Sequence, residues 1–453
     1  MTEDKITLFP CAKINLGLNI VGKREDGYHN LETVFYPVPM TDILTIEKNG
    51  MPHGCRFKAE GIGIGGNPDD NIVVKAYDRI SDIVPLPGVD ITLTKNIPVQ
   101  AGMGGGSSDC AFTITGLNSL FGLGLSDEQM RGMAAGLGAD CAFFVSPSPA
   151  YATGIGEVLT PVPLNLGRYW ILIVKTDVAI STKEAFSCIT PAVPTRNCRD
   201  VTMSAPVEQW KELLTNDFEK SAFRIHPIIG RIKDALYAHG AAYAAMSGSG
   251  SAVFGLFAER PPYELTDWLH QRFGAFVSAF CLKPGRDNGN EILPLVDNDG
   301  RTTGRTTRAI AHGGSKPLHP VVHLHVLDSH GNIYLQKRPH WKDIQPDRWD
   351  TAVGGHIGYG EAEEDALARE AREELGLRGF TPEKIDAYVF ESRYEREYVN
   401  VFRTVYDKRI CPSNNELDGG RFWTRDEISD ALGKGILTPN FENEFRKYFL
   451  AGQ

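Results

Sequence analysis

No apolar run in this 453-residue chain approaches the ~20 residues that a helix needs to cross a bilayer, which excludes a helical membrane protein. The start, Met1-Thr2-Glu3-Asp4-Lys5, lacks the basic-then-apolar layout of a secretory signal, so a cytoplasmic location is expected. Cysteine is sparse. The eight present are scattered, with no CxxC pair and no framework spacing, and are expected to be reduced thiols. A basic surplus is missing as well: the net charge is −10, with 22 basic against 28 acidic residues from Asp287 onward and 25 against 29 before it. Neither part offers the positive footprint that a nucleic-acid partner requires. Small anionic substrates must then be held locally, by loops, metals and single cations.

Hydrophobic content of 42% and charged content of 23% describe a globular protein, and 453 residues are too many for one ordinary core. Two or three domains are expected. The first half is organised around Pro98-Val99-Gln100-Ala101-Gly102-Met103-Gly104-Gly105-Gly106-Ser107-Ser108, followed at once by helix formers from Ala111 through Leu117 and Leu120. It is neither GxxxxGK[ST] nor a clean GxGxxG, so the P-loop and dinucleotide fingerprints do not apply. Glycine brings main-chain N–H groups close to a ligand, and a helix starting there adds unpaired donors and a positive dipole end. A phosphate cradle is one reading; a flexible surface loop is the other.

Residues 5–21 read as a strand in which Lys13 and Asn15 share one face, either a site face or an exposed one. A turn-rich loop, Gly22–Asn30, carries the adjacent Tyr28 and His29. Asp70 or Asn71 should cap a helix with Val74, Tyr77, Ile80 and Ile83 at helical spacing. A second helix should start in capping-box style at Ser126. Asp140 lies among small and apolar residues, so it either meets a cation or donor or caps a helix. Ser181-Thr182 and Phe186 open a further helix, and Ser247-Gly248-Ser249-Gly250 is a turn running into a strand.

Together, Pro10-Cys11-Ala12-Lys13-Ile14-Asn15-Leu16, the loop Gly102–Ser108 and the turn Ser247–Gly250 resemble the three motifs of the GHMP small-molecule kinases in order and spacing. Arg24–His29, Asp70-Asn71-Ile72, Gly138-Ala139-Asp140 and Ser181-Thr182 with Phe186 are similar to the branch acting on 4-diphosphocytidyl-2-C-methyl-D-erythritol in the non-mevalonate isoprenoid route. The resemblance covers roughly residues 1–285. It implies ATP and Mg²⁺ as cofactors, with Pro98, Gly102, Gly104, Gly105, Gly106, Ser107 and Ser108 around the phosphates and Asn71 near the adenine. Asp140 would take or orient the hydroxyl proton and Lys13 would offset charge. Asn15, Tyr28, His29, Thr182 and Phe186 would hold the substrate, Tyr28 and Phe186 sandwiching the cytosine and His29 bonding its edge. Val99-Gln100-Ala101 and Cys110 depart mildly from the pattern.

Arg286–Asn290 is a plausible linker, followed by strands at Ile292–Val296, Val321–Leu327 and Ile333–Arg338. Then come Gly355, Glu361, Arg369, Glu370, Glu373 and Glu374, the last three spaced so that one helical face presents three carboxylates. Such oxygens suit Mg²⁺ or Mn²⁺, and Arg369 can brace Glu373. The set resembles a complete Nudix box with a small Ala371. His312, His319 and His356, with Glu395 and Glu397, fall where the Nudix-type isopentenyl-diphosphate isomerases keep metal ligands. That branch, however, has a thiol where Gly354 stands and a Trp near Asn440. A metal-dependent diphosphohydrolase of unread substrate is therefore preferred; an isomerase-like domain and a non-catalytic binding module are the alternatives.

The expected fold is α+β: a two-subdomain GHMP kinase, with an S5-like βαβ subdomain (1–156) and a ferredoxin-like one (157–286). A linker (287–290) and an α/β/α Nudix sandwich (291–453) follow. Expected partners are small molecules, with no nucleic acid or membrane; a homodimer is left open.

Overall fold

The computed structural model describes all residues except 1–3, 64, 66, 181–184, 187–188, 283–290, 313–315, 340–344, 393–394, 413–416 and 451–453. The expected linker 287–290 lies outside the described residues. Two compact units emerge, residues 1–291 with 306–315 and residues 292–305 with 316–453. The expected uninterrupted domain 291–453 thus loses a short stretch to the first unit, because Ile310 packs in the apolar cluster of Ile14, Tyr36 and Leu282. No helix among the described residues is long and apolar enough to cross a membrane.

In the first unit the expected single strand 5–21 is two, β1 (Lys5–Leu8) and β2 (Cys11–Lys23), interrupted where Pro10 lacks an amide donor. β2 pairs antiparallel with β3 (His29–Thr41), placing Lys13 opposite Pro37 and Asn15 opposite Phe35. Next come β4 (Ile43–Lys48), β5 (Cys55–Gly61), α1 (Ile72–Ser81) and β6 (Val89–Lys95). β5 and β6 are parallel, joined through α1, within a sheet ordered β1-β4-β6-β5. Asn71 caps α1 by accepting from Val73 N at 2.9 Å. The buried stripe is Val73, Ala76, Tyr77 and Ile80; the helix stops at Ser81, so Ile83, expected on that stripe, is 52% exposed.

Helix α2 (Gly105–Phe121) follows the glycine loop, and α3 (Asp127–Ala135) begins with the expected Ser126/Gln129 capping box. β7 (Ala150–Thr153) and β8 (Val158–Pro161) complete a second sheet, β2-β3-β7-β8. A third sheet, ordered β10-β11-β9-β12, comprises β9 (Trp170–Lys175), β10 (Tyr243–Met246), β11 (Val253–Phe257) and β12 (Phe276–Cys281). Helix α4 (Pro227–Ala238) covers it, with Ile229, Ile232 and Leu236 packed on Leu172, Val174 and Ala244.

The second unit is built on β13 (His319–Leu327), β14 (Ile333–Lys337), β15 (Trp349–Thr351) and β16 (Val353–His356). Helix α5 (Glu363–Leu375), β17 (Glu383–Glu391), β18 (Arg396–Val405), β19 (Gly420–Trp423) and α6 (Pro439–Phe445) follow. The strands run β15-β14-β13-β18-β17, with β16 on β13 and β19 on β14. Alternation along β13 sends Val322, Leu324 and Val326 against Ala366, Leu367 and Ala371 of α5. His323 points the other way, to Glu444 of α6. Helices therefore lie on both faces of this sheet.

Candidate functional site

The glycine loop is shaped by positions that tolerate no side chain. Gly102 has φ +71°, and a Cβ there would sit 2.0 Å from Ser247 O, so this loop and the Ser247–Gly250 turn pack backbone on backbone. Ser247 Oγ donates to Gly102 O at 2.9 Å, while Asn216 Nδ2 holds the turn through Met246 O and Gly248 O at 2.8 and 2.9 Å. Gly104 has φ +72°, and its Cβ would strike the Phe144 ring at 2.8 Å and approach Lys13 Cγ at 3.3 Å. Lys13 N donates to Met103 O at 3.0 Å, tying the loop to β2.

Helix α2 starts with no side-chain cap, and its first backbone bond runs from Ser108 N to Gly104 O at 2.9 Å. The amides of Gly105, Gly106 and Ser107 are left for an anion. A Cβ on Gly106 would meet nothing within 4 Å, which suits an anion approaching from that side. Ser108 drops out of the cradle, because its amide is committed and its hydroxyl is buried without a partner. Pro98 is buried where β6 leads into the loop. Beneath the first turn, Lys95 pairs with Asp42 and, at 2.7 Å, with Asp109. Burial works against the Lys95 charge, yet the two carboxylates outweigh it and raise the ammonium above its ordinary value.

Lys13 and Asn15, 3% and 2% exposed, line a buried face rather than an open one. Lys13 Nζ lies 3.4 Å from Asp140 Oδ2 and donates to Asn15 Oδ1 at 2.6 Å. Asn15 Nδ2 continues to Thr33 Oγ1 at 3.0 Å, and Thr33 donates to Gly17 O at 2.5 Å. Burial pulls the Lys13 ammonium below its usual range, and the Asp140 charge opposes this. Asp140 precedes a 3₁₀ turn, Cys141–Val145, but its side chain makes no capping bond; it meets the lysine instead and stays 31% exposed. Of the two local readings of Asp140, the geometry shows the cation contact and no side-chain cap.

The aromatic clamp is arranged differently from expectation. His29, not Tyr28, stacks on Phe186, with ring centres 5.0 Å apart and planes 22° off parallel. Tyr28 is 62% exposed because the turn Arg24–Tyr28, closed by Arg24 N to Tyr28 O at 2.8 Å, carries it toward solvent. Phe186 is backed edge-on by Phe218 at 4.9 Å. Asn71 spends its side-chain oxygen on capping α1. Thr182 lies outside the described residues.

In the second unit Arg369 gathers the acidic set. Its guanidinium donates to Glu361 Oε1 and Oε2 at 2.9 and 3.0 Å, to Glu370 Oε1 at 2.7 Å and to His356 O at 3.0 Å. It also lies 3.5 Å from Glu373 Oε2. Glu361 accepts from Gly358 N at 2.8 Å, fastening the loop ahead of α5. A Cβ at Gly355 would fall 2.1 Å from Glu370 Cδ, so only glycine lets that carboxylate lie on β16. Glu374 is buried and accepts from Gly354 N at 3.3 Å; Glu373 is half exposed. Of Glu370, Glu373 and Glu374, one carboxylate is thus exposed and two are sheltered, a donor set that fits Mg²⁺ or Mn²⁺. Glu395 and Glu397 lie at the start of β18, where burial raises both carboxyls. His356 stacks on His319 at 5.5 Å.

Models of the GHMP kinase N-terminal and C-terminal domains match residues 71–147 and 205–271, and a NUDIX domain model matches 317–441. A 4-diphosphocytidyl-2-C-methyl-D-erythritol kinase of Bacteroides thetaiotaomicron is 51% identical over 61% of this chain and 98% of its own length. The chain belongs to that kinase family. A Parabacteroides distasonis kinase of the same name is 48% identical over 56% of this chain and 92% of its own. A crystal structure of 4-(cytidine 5'-diphospho)-2C-methyl-D-erythritol kinase is 28% identical, covering 60% of this chain and 98% of the other, with a TM-score of 0.48. The first unit is thus a small-molecule kinase of the α+β GHMP fold, carried on one chain with a NUDIX unit.

Sequence reasoning missed three groups: Lys95 with Asp42 and Asp109 under α2, Thr33 behind Asn15, and the His323–Glu444 pair of the NUDIX unit. Only Asp109, adjoining the glycine loop, carried a local signal. The others become partners across tens of residues of chain.

Proposed function

We propose that the first unit phosphorylates the 2-hydroxyl of 4-diphosphocytidyl-2-C-methyl-D-erythritol in the non-mevalonate isoprenoid route, working in the cytoplasm. Residues 1–156 would form its ATP-binding subdomain and 157–286 its second subdomain. The observation that carries this is the Lys13–Asp140 pair beside the uncapped first turn of α2. Bound ATP and Mg²⁺ supply the transferable phosphoryl group and neutralise part of its charge. The amides of Gly105, Gly106 and Ser107 hold phosphoryl oxygens, and the glycine-only contacts at 102 and 104 fix where those amides point. Asp140 Oδ2 accepts the proton of the substrate hydroxyl, and Lys13, 3.4 Å away, offsets the carboxylate's charge and screens developing charge. Asn15 orients Lys13. Phe186 with His29 gives the cytosine a platform, and Tyr28 closes over it from the exposed turn. The test is ATP turnover on the cytidylated polyol against the plain polyol, homoserine and mevalonate. Selective turnover of the cytidylated compound is expected; equal rates on the plain polyol overturn the assignment.

We infer that the NUDIX unit is a Mg²⁺- or Mn²⁺-dependent diphosphohydrolase. Glu370, Glu373 and Glu374 would hold the metal, which polarises a phosphoryl group and activates water. Arg369 aligns two of these carboxylates with Glu361. Gly354 offers no thiol for acid–base work on an allylic carbon, which favours hydrolysis over isomerisation. A phosphate-release screen of the full chain on diphosphate compounds, with and without Mg²⁺, tests this; isopentenyl-diphosphate isomerisation without any hydrolysis overturns it.

A further inference from the structure

The floor of the glycine loop is a buried ion triad with no part in the chemistry assigned above. Asp42, at the corner between β3 and β4, is fully buried, and its own amide donates to Pro10 O at 2.9 Å. Its Oδ1 accepts from the amides of Asn96 and Ile97 at 2.6 and 2.8 Å, which fixes the chain as it leaves β6. Its Oδ2 takes the ammonium of Lys95, the last residue of β6 and 3% exposed. Lys95 Nζ reaches on to Asp109 Oδ2 at 2.7 Å, at the start of the second turn of α2. Asp109 is 2% exposed, and its Oδ1 is buried without a hydrogen-bond partner, so its hold on the floor runs through Oδ2. Gly105 lies directly on this floor: a Cβ there would fall 3.2 Å from Lys95 Nζ and 3.1 Å from Ile97 Cγ2. The loop leaving β6 and the helix that follows it are thus tied to each other through one ammonium, on either side of the residues whose amides are left for an anion.

We propose that Asp42, Lys95 and Asp109 are positioning residues for ATP, setting the direction in which the amides of Gly105, Gly106 and Ser107 point at the phosphoryl oxygens. This rests on the phosphate-cradle reading of the first unit. Orphan amides hold an anion well only when they converge, and a loop rich in glycine has no intrinsic preference for the convergent form. Something outside the loop must select it. A buried ion pair is a poor means of adding stability, because desolvation offsets its attraction. It is exacting about geometry, however, because a charge taken out of water is costly as soon as its partner drifts away. Here two carboxylates face one ammonium from different elements, the β3–β4 corner on one side and α2 on the other. Together they hold the start of the helix at a fixed distance from the end of the strand.

Calorimetric titration of the full chain with the non-hydrolysable analogue adenylyl imidodiphosphate in Mg²⁺, and separately with the cytidylated polyol, tests this. Asp109→Ala cuts the tie to α2 and leaves Lys95 paired with Asp42, so no buried charge is stranded. Its affinity for the nucleotide should fall about tenfold, the lower end for losing a hydrogen bond to a charged group, with the affinity for the cytidylated polyol unchanged. Asp109→Asn keeps an acceptor oxygen for Lys95 and should recover most of the nucleotide affinity. A general loosening of the unit would instead weaken both ligands and would not depend on that oxygen. Parent-like nucleotide affinity in Asp109→Ala overturns the proposal, as does an equal loss for both ligands or an Asp109→Asn variant no better than Asp109→Ala. If the parent itself binds no nucleotide, the cradle reading falls and the proposal with it. That result is told apart from the others because the parent alone decides it.

Discussion

Lys13 Nζ and Asp140 Oδ2 stand 3.4 Å apart, joining a buried strand residue to a partly exposed carboxylate 127 positions later. The contact gives the carboxylate a cation without sealing it from an incoming alcohol. Asp140→Asn should therefore lower kcat by about 10²- to 10⁴-fold, the usual contribution of a positioned base, with little change in KM for ATP. Retention of most of the rate would remove Asp140 from the chemistry.

Gly104→Ala combines a left-handed backbone with a Cβ 2.8 Å from the Phe144 ring. The loop must shift, so the KM for ATP should rise at least tenfold and kcat should fall, while Gly132→Ala on α3, with open space around it and outside the cradle, should cost far less. Steady-state kinetics of the two variants side by side decide this.

The stack of His29 on Phe186 at 5.0 Å makes a specificity test. Phe186→Ala should raise the KM for the cytidylated substrate by about one order of magnitude, as expected for losing a base-stacking face, and leave the ATP affinity unchanged. An equal effect on both substrates would mean a folding defect.

Glu373→Gln removes the most exposed of the three carboxylates Glu370, Glu373 and Glu374, half exposed and 3.5 Å from Arg369. Metal-dependent phosphate release by the NUDIX unit should fall by about 10²-fold or more, with kinase turnover retained. Unchanged release would favour a binding module.

The imidazolium of His323, raised to about 9 from an ordinary 6.5, contributes stability that is complete below pH 6.5 and is lost as pH rises through about 9. The NUDIX unit should melt at progressively lower temperature across that window. In Glu444→Gln the decline should flatten, because the charge that raises the imidazole is gone. Calorimetric scans at stepped pH report both.

Much of the site could be read from local sequence because local chemistry dictates it. Asn71 caps α1 and Ser126 opens α3 through bonds spanning two or three residues. Gly355, Glu361 and Arg369–Glu374 share one loop and helix, so spacing alone brings them together. The strand break at Pro10 also had a local cause, though its effect on the expected strand 5–21 was missed.

What the order of residues determined by itself was therefore short in range: the periodic elements, the glycine turns, the capping bonds and the acidic face of α5. Which distant groups meet was decided only by folding. Lys95 finds Asp42 and Asp109, Ser247 closes on Gly102, His29 rather than Tyr28 covers Phe186, and His323 finds Glu444. Each of these contacts depends on strand register and on how sheet and helix pack, and a buried charge or bare backbone can choose its partner only after that packing has removed water.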